Sequence, residues 1–222
     1  MEEFNGIVSL LFACIELLLL FNLLFFSQKS KENVLAIVMV FLLFSYQFME
    51  FLICYLEIQH QVMIYLAFVT ITFLPPLGLY FVITFIGRKN NYSIFVFIPG
   101  LLFIIYYLFV IDHFEVTHCS VLYAIYNYPL GDLYGFFYYM PILLTIILLV
   151  VSYKKEKVSN KKVLLRILLV GYLLVFIPAI ILLIIFPQLI HAAESILCKF
   201  AFILALSYTF FVLKNKKKGV EN

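Results

Sequence analysis

Tryptophan is absent from this chain of 222 residues, although it carries 26 Phe and 16 Tyr. Tyr must then supply most of the interfacial anchoring that Trp and Tyr usually share in membrane proteins. Charge is scarce as well: 12% of residues are charged and 66% are hydrophobic. Soluble domains are about a quarter charged and roughly half apolar, so a water-soluble fold is excluded. No basic stretch interleaved with aromatics lies on a polar face, which excludes nucleic acid as a partner. Also missing are a nucleophile–base pair, a phosphate-cradling Gly loop, a zinc-protease pattern and a His-x-x-x-His pair. The sequence gives no positive case for an enzyme, and no cofactor is expected.

The N-terminus lacks the features of a cleaved leader. It opens with Glu2 and Glu3 rather than a positive region, and no small-residue cleavage site follows. Leu11-Phe12-Ala13-Cys14 has the outline of a lipoprotein cleavage box, but no Lys or Arg precedes it and the apolar run continues to Phe26. The first helix is expected to be retained.

A spanning helix needs about 20 mostly apolar residues. Seven windows meet that requirement, at 6–27, 34–56, 62–86, 93–111, 133–153, 163–186 and 190–213, followed by a basic tail at 214–222. The predicted fold is an all-α integral membrane bundle of seven transmembrane helices forming a single domain over 1–222. Loops are short except 112–132. Pro75-Pro76, Pro99-Gly100, Pro141 and Pro178 fall inside these windows and mark expected bends, whose freed backbone groups neighbouring helices must satisfy.

Basic residues stay on the cytoplasmic side of a membrane. Lys29 and Lys31 follow the first helix, and Arg88 and Lys89 the third. Lys154, Lys155, Lys157, Lys161, Lys162 and Arg166 lie between the fifth and sixth, and Lys214, Lys216, Lys217 and Lys218 after the seventh. These are 14 of the 15 basic residues, all on one side. The other side holds Glu2, Glu3, Glu57, Asp112, Glu115 and Asp132. The expected topology has the N-terminus outside and the C-terminus cytoplasmic, in a bacterial or archaeal plasma membrane.

An ionisable residue at mid-membrane costs on the order of 3 kcal/mol and normally faces the bundle, where it finds a partner. Gln47, Glu50, Cys54 and Glu57 are spaced to share one helix face, and His191, Glu194 and Cys198 repeat that spacing on the seventh helix. With ~1.5 Å rise per residue, Glu16 and Lys199 lie at similar depth, somewhat below Glu50. Helices one, two and seven are expected to enclose a polar site in the outer half, with Lys199 paired to Glu16 or Glu50. The candidate set is Glu16, Gln47, Glu50, Cys54, His191, Glu194, Cys198 and Lys199. The competing explanation is that these groups are hydrogen-bonding glue between helices, worth roughly 0.6–2 kcal/mol each.

Other chemistries fit less well. A retinal-binding role for Lys199 lacks a counter-ion, since 62–86 contains no Asp or Glu, and lacks Trp to hold the chromophore. His60, His113, His118 and His191 lie at or beyond the outer boundary, near Asp112, Glu115 and Cys119, but match no metal-ligand spacing, so no metal site is expected. Cys14, Cys54, Cys119 and Cys198 all lie in the outer half. A bridge from Cys119 to a helix end is one option among the three full pairings that four Cys allow.

Gln47-Phe48-Met49-Glu50, Leu74-Pro75-Pro76, Phe85-Ile86-Gly87-Arg88, Ile98-Pro99, Asp112-His113-Phe114, Gly135-Phe136-Phe137-Tyr138-Tyr139 and Leu165-Arg166 through Gly171 to Ile177-Pro178 carry a resemblance. Together they resemble the seven-transmembrane sensor regions at the N-termini of some bacterial histidine kinases. Gln47-x-x-Glu50 and Cys198-x-Phe200-Ala201 are also similar to small stand-alone bacterial seven-helix membrane proteins of uncharacterised function. The sensor resemblance implies a receptor whose outer-half pocket reads a signal and passes it through the seventh helix. Only Lys214 to Asn222 follow that helix, so output would require a separate cytoplasmic signalling protein, reached through the basic loop 154–162. That loop also serves as a topology signal and a contact for anionic lipid. A small-solute or ion transporter is the alternative function, and an intramembrane metal-dependent hydrolase the third.

Overall fold

The computed structural model describes residues 5–88 and 91–215, with side chains for all of these except Asn91, Leu189, Ile190 and His191. It is all-α apart from one hairpin. The helices are α1 (Ile7–Phe26), α2 (Lys31–Cys54), α3 (Gln61–Ile86), α4 (Ile98–Phe109), α5 (Gly131–Lys155), α6 (Ser159–Ile185) and α7 (Ala193–Lys214). Counting the 3-10 turns at Asn91–Phe97 that lead into α4, seven segments among the described residues are long and apolar enough to cross a membrane.

Helix ends follow local chemistry. Ser30 caps α2 by accepting a hydrogen bond from the Asn33 amide at 3.2 Å, satisfying one of the free N–H groups of the first turn. Gly87 ends α3 in the left-handed region at φ 82°, where a residue without Cβ is unstrained. Pro75 and Pro76 lie inside α3, and Pro141 and Pro178 inside α5 and α6. Pro99 differs from expectation. The chain before it is 3-10, and Pro99 stands in the first turn of α4, where its missing N–H leaves no partner unserved.

Five helices, α2, α3, α5, α6 and α7, pack in a closed ring. α1 lies in the groove between α2 and α7, and α4 in the groove between α3 and α5. Inside the ring, Phe81 of α3 meets Tyr208 and Phe211 of α7 edge-on at 5.0 and 5.1 Å. Gly78 lets α3 approach α6 so closely that a Cβ there would collide with the Tyr172 hydroxyl, which is held by Tyr208 at 2.9 Å. Gly171 performs the same service against Ser207 between α6 and α7.

The distribution of polarity is reversed from that of a water-soluble protein. Glu16 and Gln47 are 0% exposed, whereas Phe25 and Phe109 are 79% and 81% exposed. Leu18, Leu102, Ile147 and Ile184 on other outward faces are exposed too.

Loop 112–132 contains a structure that helical periodicity does not reveal. β1 (Glu115–Cys119) pairs antiparallel with β2 (Ala124–Asn127), placing Val116 opposite Tyr126 and Cys119 opposite Ala124. Ser120 shapes the turn by accepting from the amides of Leu122 and Tyr123. The hairpin lies across one end of the bundle and is fastened there. Cys119 is disulfide-bonded to Cys54 at the end of α2. Gly6, ahead of α1, donates its amide to the Ser120 carbonyl at 3.1 Å. Beneath it, Phe68, Tyr107, Phe114, Tyr128 and Tyr134 form an aromatic cluster, and Tyr107 donates to the Pro129 carbonyl at 2.6 Å. At the opposite, lysine-rich end, Asn215 donates to Asn33 at 3.0 Å, and Lys161 lies over Phe85.

Candidate functional site

Three helices build the central polar group. α7 contributes Lys199 and Ser195, four residues apart on one face; α2 contributes Gln47 and Glu50, three apart; α1 contributes Ser9. The Lys199 ammonium donates to Glu50 Oε1 at 2.6 Å, Gln47 Oε1 at 2.7 Å and Ser9 Oγ at 2.8 Å. All three of its donors are thus used. Glu50 is equally well served. Ser9 donates to Oε1 at 3.2 Å and Ser195 to Oε2 at 3.0 Å. Gln47 spends its amide on the Cys198 carbonyl at 2.8 Å. With side-chain exposures of 10% for Lys199 and 1% for Glu50, this is a buried ion pair in which each carboxylate oxygen also accepts from a serine.

The network reaches the hairpin. The Ala124 amide of β2 donates to Ser195 Oγ at 3.1 Å, and the same hydroxyl donates to Glu50. A strand at the rim and an ion pair inside the helices therefore share one serine.

Of the two partners expected for Lys199, the structure selects Glu50. Glu16 is wholly buried, lies two turns beyond Ser9 on α1, and neither of its oxygens has a hydrogen-bond partner. Lys199 spends its three donors on Glu50, Gln47 and Ser9 and makes no hydrogen bond to it. Cys54 is outside the network because its sulfur is bonded to Cys119. Glu57, fourth in the α2 stripe, lies beyond the helix end in an exposed left-handed turn at φ 54°. Cys198 joins through its backbone, while its buried thiol borders a small apolar cavity of about 50 Å³ inside the helix ring. The His191 side chain lies outside the described residues. Ser9 and Ser195 have no place in the sequence-derived set. Their signal is positional, since Ser195 stands one turn from Lys199 and Ser9 two turns from Glu16.

Glu194 takes a separate position. It faces a cavity of about 500 Å³ at the hairpin end, walled by β2, the first turns of α5 and α7, and Leu183 of α6. Tyr126, Tyr128, Phe136, Tyr139 and Asp132 share this lining. The hydroxyl oxygens of Tyr126 and Tyr139 are buried without a geometric hydrogen-bond partner. Burial raises the hydroxyls of Tyr126 and Tyr128 well above the ordinary phenol range, reinforced by the charges of Glu50 and Glu194 respectively. Both remain neutral donors. Among the described residues, no group of three or more His, Cys, Asp and Glu is arranged to hold a metal ion.

No protein-family model, curated protein or solved structure matches the chain.

Proposed function

We propose that the chain is a multi-pass protein of a bacterial or archaeal plasma membrane, acting as a sensory receptor without catalysis of its own. The hairpin end faces outside and the lysine end faces the cytoplasm, where a separate signalling protein receives the output. The lysine clusters support this orientation. So does the Cys54–Cys119 bond, because disulfides persist in oxidising compartments.

The observation that carries the receptor reading is the double membership of β2. Tyr126 and Asn127 wall the cavity at the hairpin end, and Ala124, two residues earlier, holds Ser195 of the Lys199–Glu50 network. A ligand that shifts β2 changes the hydrogen bonding of Ser195, and with it the seating of α7 against α2. That is a physical route from an outer site to an inner helix, along which a ligand acts by binding one seating of α7 better than another.

The test uses a fluorophore on Asn215→Cys, at the cytoplasmic end of α7, in protein reconstituted into nanodiscs. Water-soluble amines, amino acids and sugars are added on the hairpin side. A ligand that binds should change the emission, and Ser195→Ala should keep the binding while removing the change. Binding that never reaches the fluorophore would overturn the receptor reading.

Glu16 favours a second reading as an ion transporter, since a carboxyl group buried without partners is costly to retain for structure alone. That reading requires cation or proton flux into proteoliposomes that collapses on Glu16→Gln.

A further inference from the structure

The composition of the hairpin-end cavity is specific enough to indicate a ligand. Two carboxylates, Glu194 and Asp132, border it, and among the described residues its lining contains no Lys or Arg. Four aromatic rings, of Tyr126, Tyr128, Phe136 and Tyr139, form much of the remaining wall. Aromatic rings attract a cation through their quadrupole, most strongly when it is desolvated. A carboxylate among them supplies the opposite charge. An anion would be repelled, and a purely apolar ligand would leave the carboxylates without a counter-charge.

The volume of about 500 Å³ accommodates a small organic molecule and far exceeds a single inorganic ion.

We infer that this cavity binds an organic ammonium ion, with Glu194 as counter-charge and the aromatic residues Tyr126, Tyr128, Phe136 and Tyr139 as its cage. The assignment rests on the receptor reading for the purpose of the site, not for its chemistry. Free ammonium compounds and choline-type lipid headgroups share that chemistry.

The full chain in phosphatidylglycerol nanodiscs is titrated with choline and with 3,3-dimethylbutanol, its uncharged carbon isostere. Choline should bind saturably, and the isostere roughly tenfold more weakly or worse. Glu194→Gln should weaken choline by roughly tenfold, and Tyr139→Leu by roughly threefold. Glu115→Gln, a change at the same end but outside this cavity, should leave binding unchanged. Size-exclusion behaviour and an intact Cys54–Cys119 bond establish that each variant is folded. Phosphatidylcholine nanodiscs separate the sources: weaker choline binding there assigns the site to a lipid headgroup, and unchanged binding assigns it to a free ligand.

Equal binding of choline and its isostere overturns the inference. So does the absence of saturable choline binding in phosphatidylglycerol, or its survival in a folded Glu194→Gln protein. Choline binding without a response at position 215 sinks the receptor reading and leaves this one standing. A response to other ligands without choline binding does the reverse.

Discussion

Lys199 and Glu50 lie 2.6 Å apart across α7 and α2, 149 residues distant in sequence, with no water-exposed path between them worth the name: the carboxyl side chain is 1% exposed. Their pairing fixes how the last helix sits on the second. Removing one partner leaves the other charged and buried, which costs about 3–5 kcal/mol, whereas replacing both by apolar groups is often neutral. Glu50→Leu and Lys199→Met should each lower the melting temperature in detergent sharply, and the double variant should recover most of the loss. Equal damage in the double variant would mean that the pair is not the unit of stabilisation.

Glu16 should behave in the opposite way. With no partner to lose, Glu16→Leu removes a buried polar group and fills the space with hydrocarbon, so stability should rise by about 1–3 kcal/mol. Thermal unfolding of the purified protein reads this directly. A fall in stability would reveal a partner that the static arrangement does not contain.

Cys14 and Cys198 are free, and Cys54 and Cys119 are bonded. Denatured, unreduced protein should therefore take up two equivalents of a maleimide polymer, and reduced protein four. Cys119→Ser should cost about 2–5 kcal/mol, because the bond constrains a long stretch of chain in the unfolded state.

Gly78→Ala places a methyl group against the Tyr172 hydroxyl, which Tyr208 holds in place. Overpacking of this kind costs about 1–3 kcal/mol. Adding Tyr172→Phe removes the colliding oxygen, so the double variant should be more stable than Gly78→Ala alone. Failure of that rescue would place the conflict in the backbone instead.

Between α5 and α6, Glu156 accepts from the Val158 amide at 3.1 Å and pairs with Lys161 at 3.4 Å. The amide first, and then Lys161, holds its carboxyl below the usual range. A depressed folded pKa means that this local stabilisation is present at neutral pH and is lost as pH falls through the folded value. Hydrogen exchange at Val158 should accelerate in acid relative to its intrinsic rate, and Glu156→Gln should abolish that pH dependence.

How far the sequence foretells these features depends on the length over which each is written. Long apolar runs separated by Lys29, Arg88 and the lysines from Lys154 make seven helices readable. Helical spacing and rise bring Glu16 and Lys199 to similar depth, somewhat below Glu50, and narrow the ion pair to two options, but packing angles decide between them. β1 and β2 have five and four residues, too few for alternation to register within an otherwise polar loop. Ser9 and Ser195 are hidden for another reason. A serine in an apolar helix commonly bonds its own preceding turn, as Ser207 does to Ile203, and nothing local distinguishes the two that reach across. The Cys54 stripe misleads because regular spacing cannot reveal that a sulfur has a covalent partner in a distant loop.

The bond between Cys54 and Cys119 also closes a covalent circuit around α3 and α4. A cut in the exposed connection at Arg88 would leave both halves of the protein tethered as one molecule until a reductant arrives. Trypsin access to that point thus becomes a nick without separation, visible on a gel only after thiol treatment. Circular rearrangement of the chain at this connection would inherit the same built-in tether.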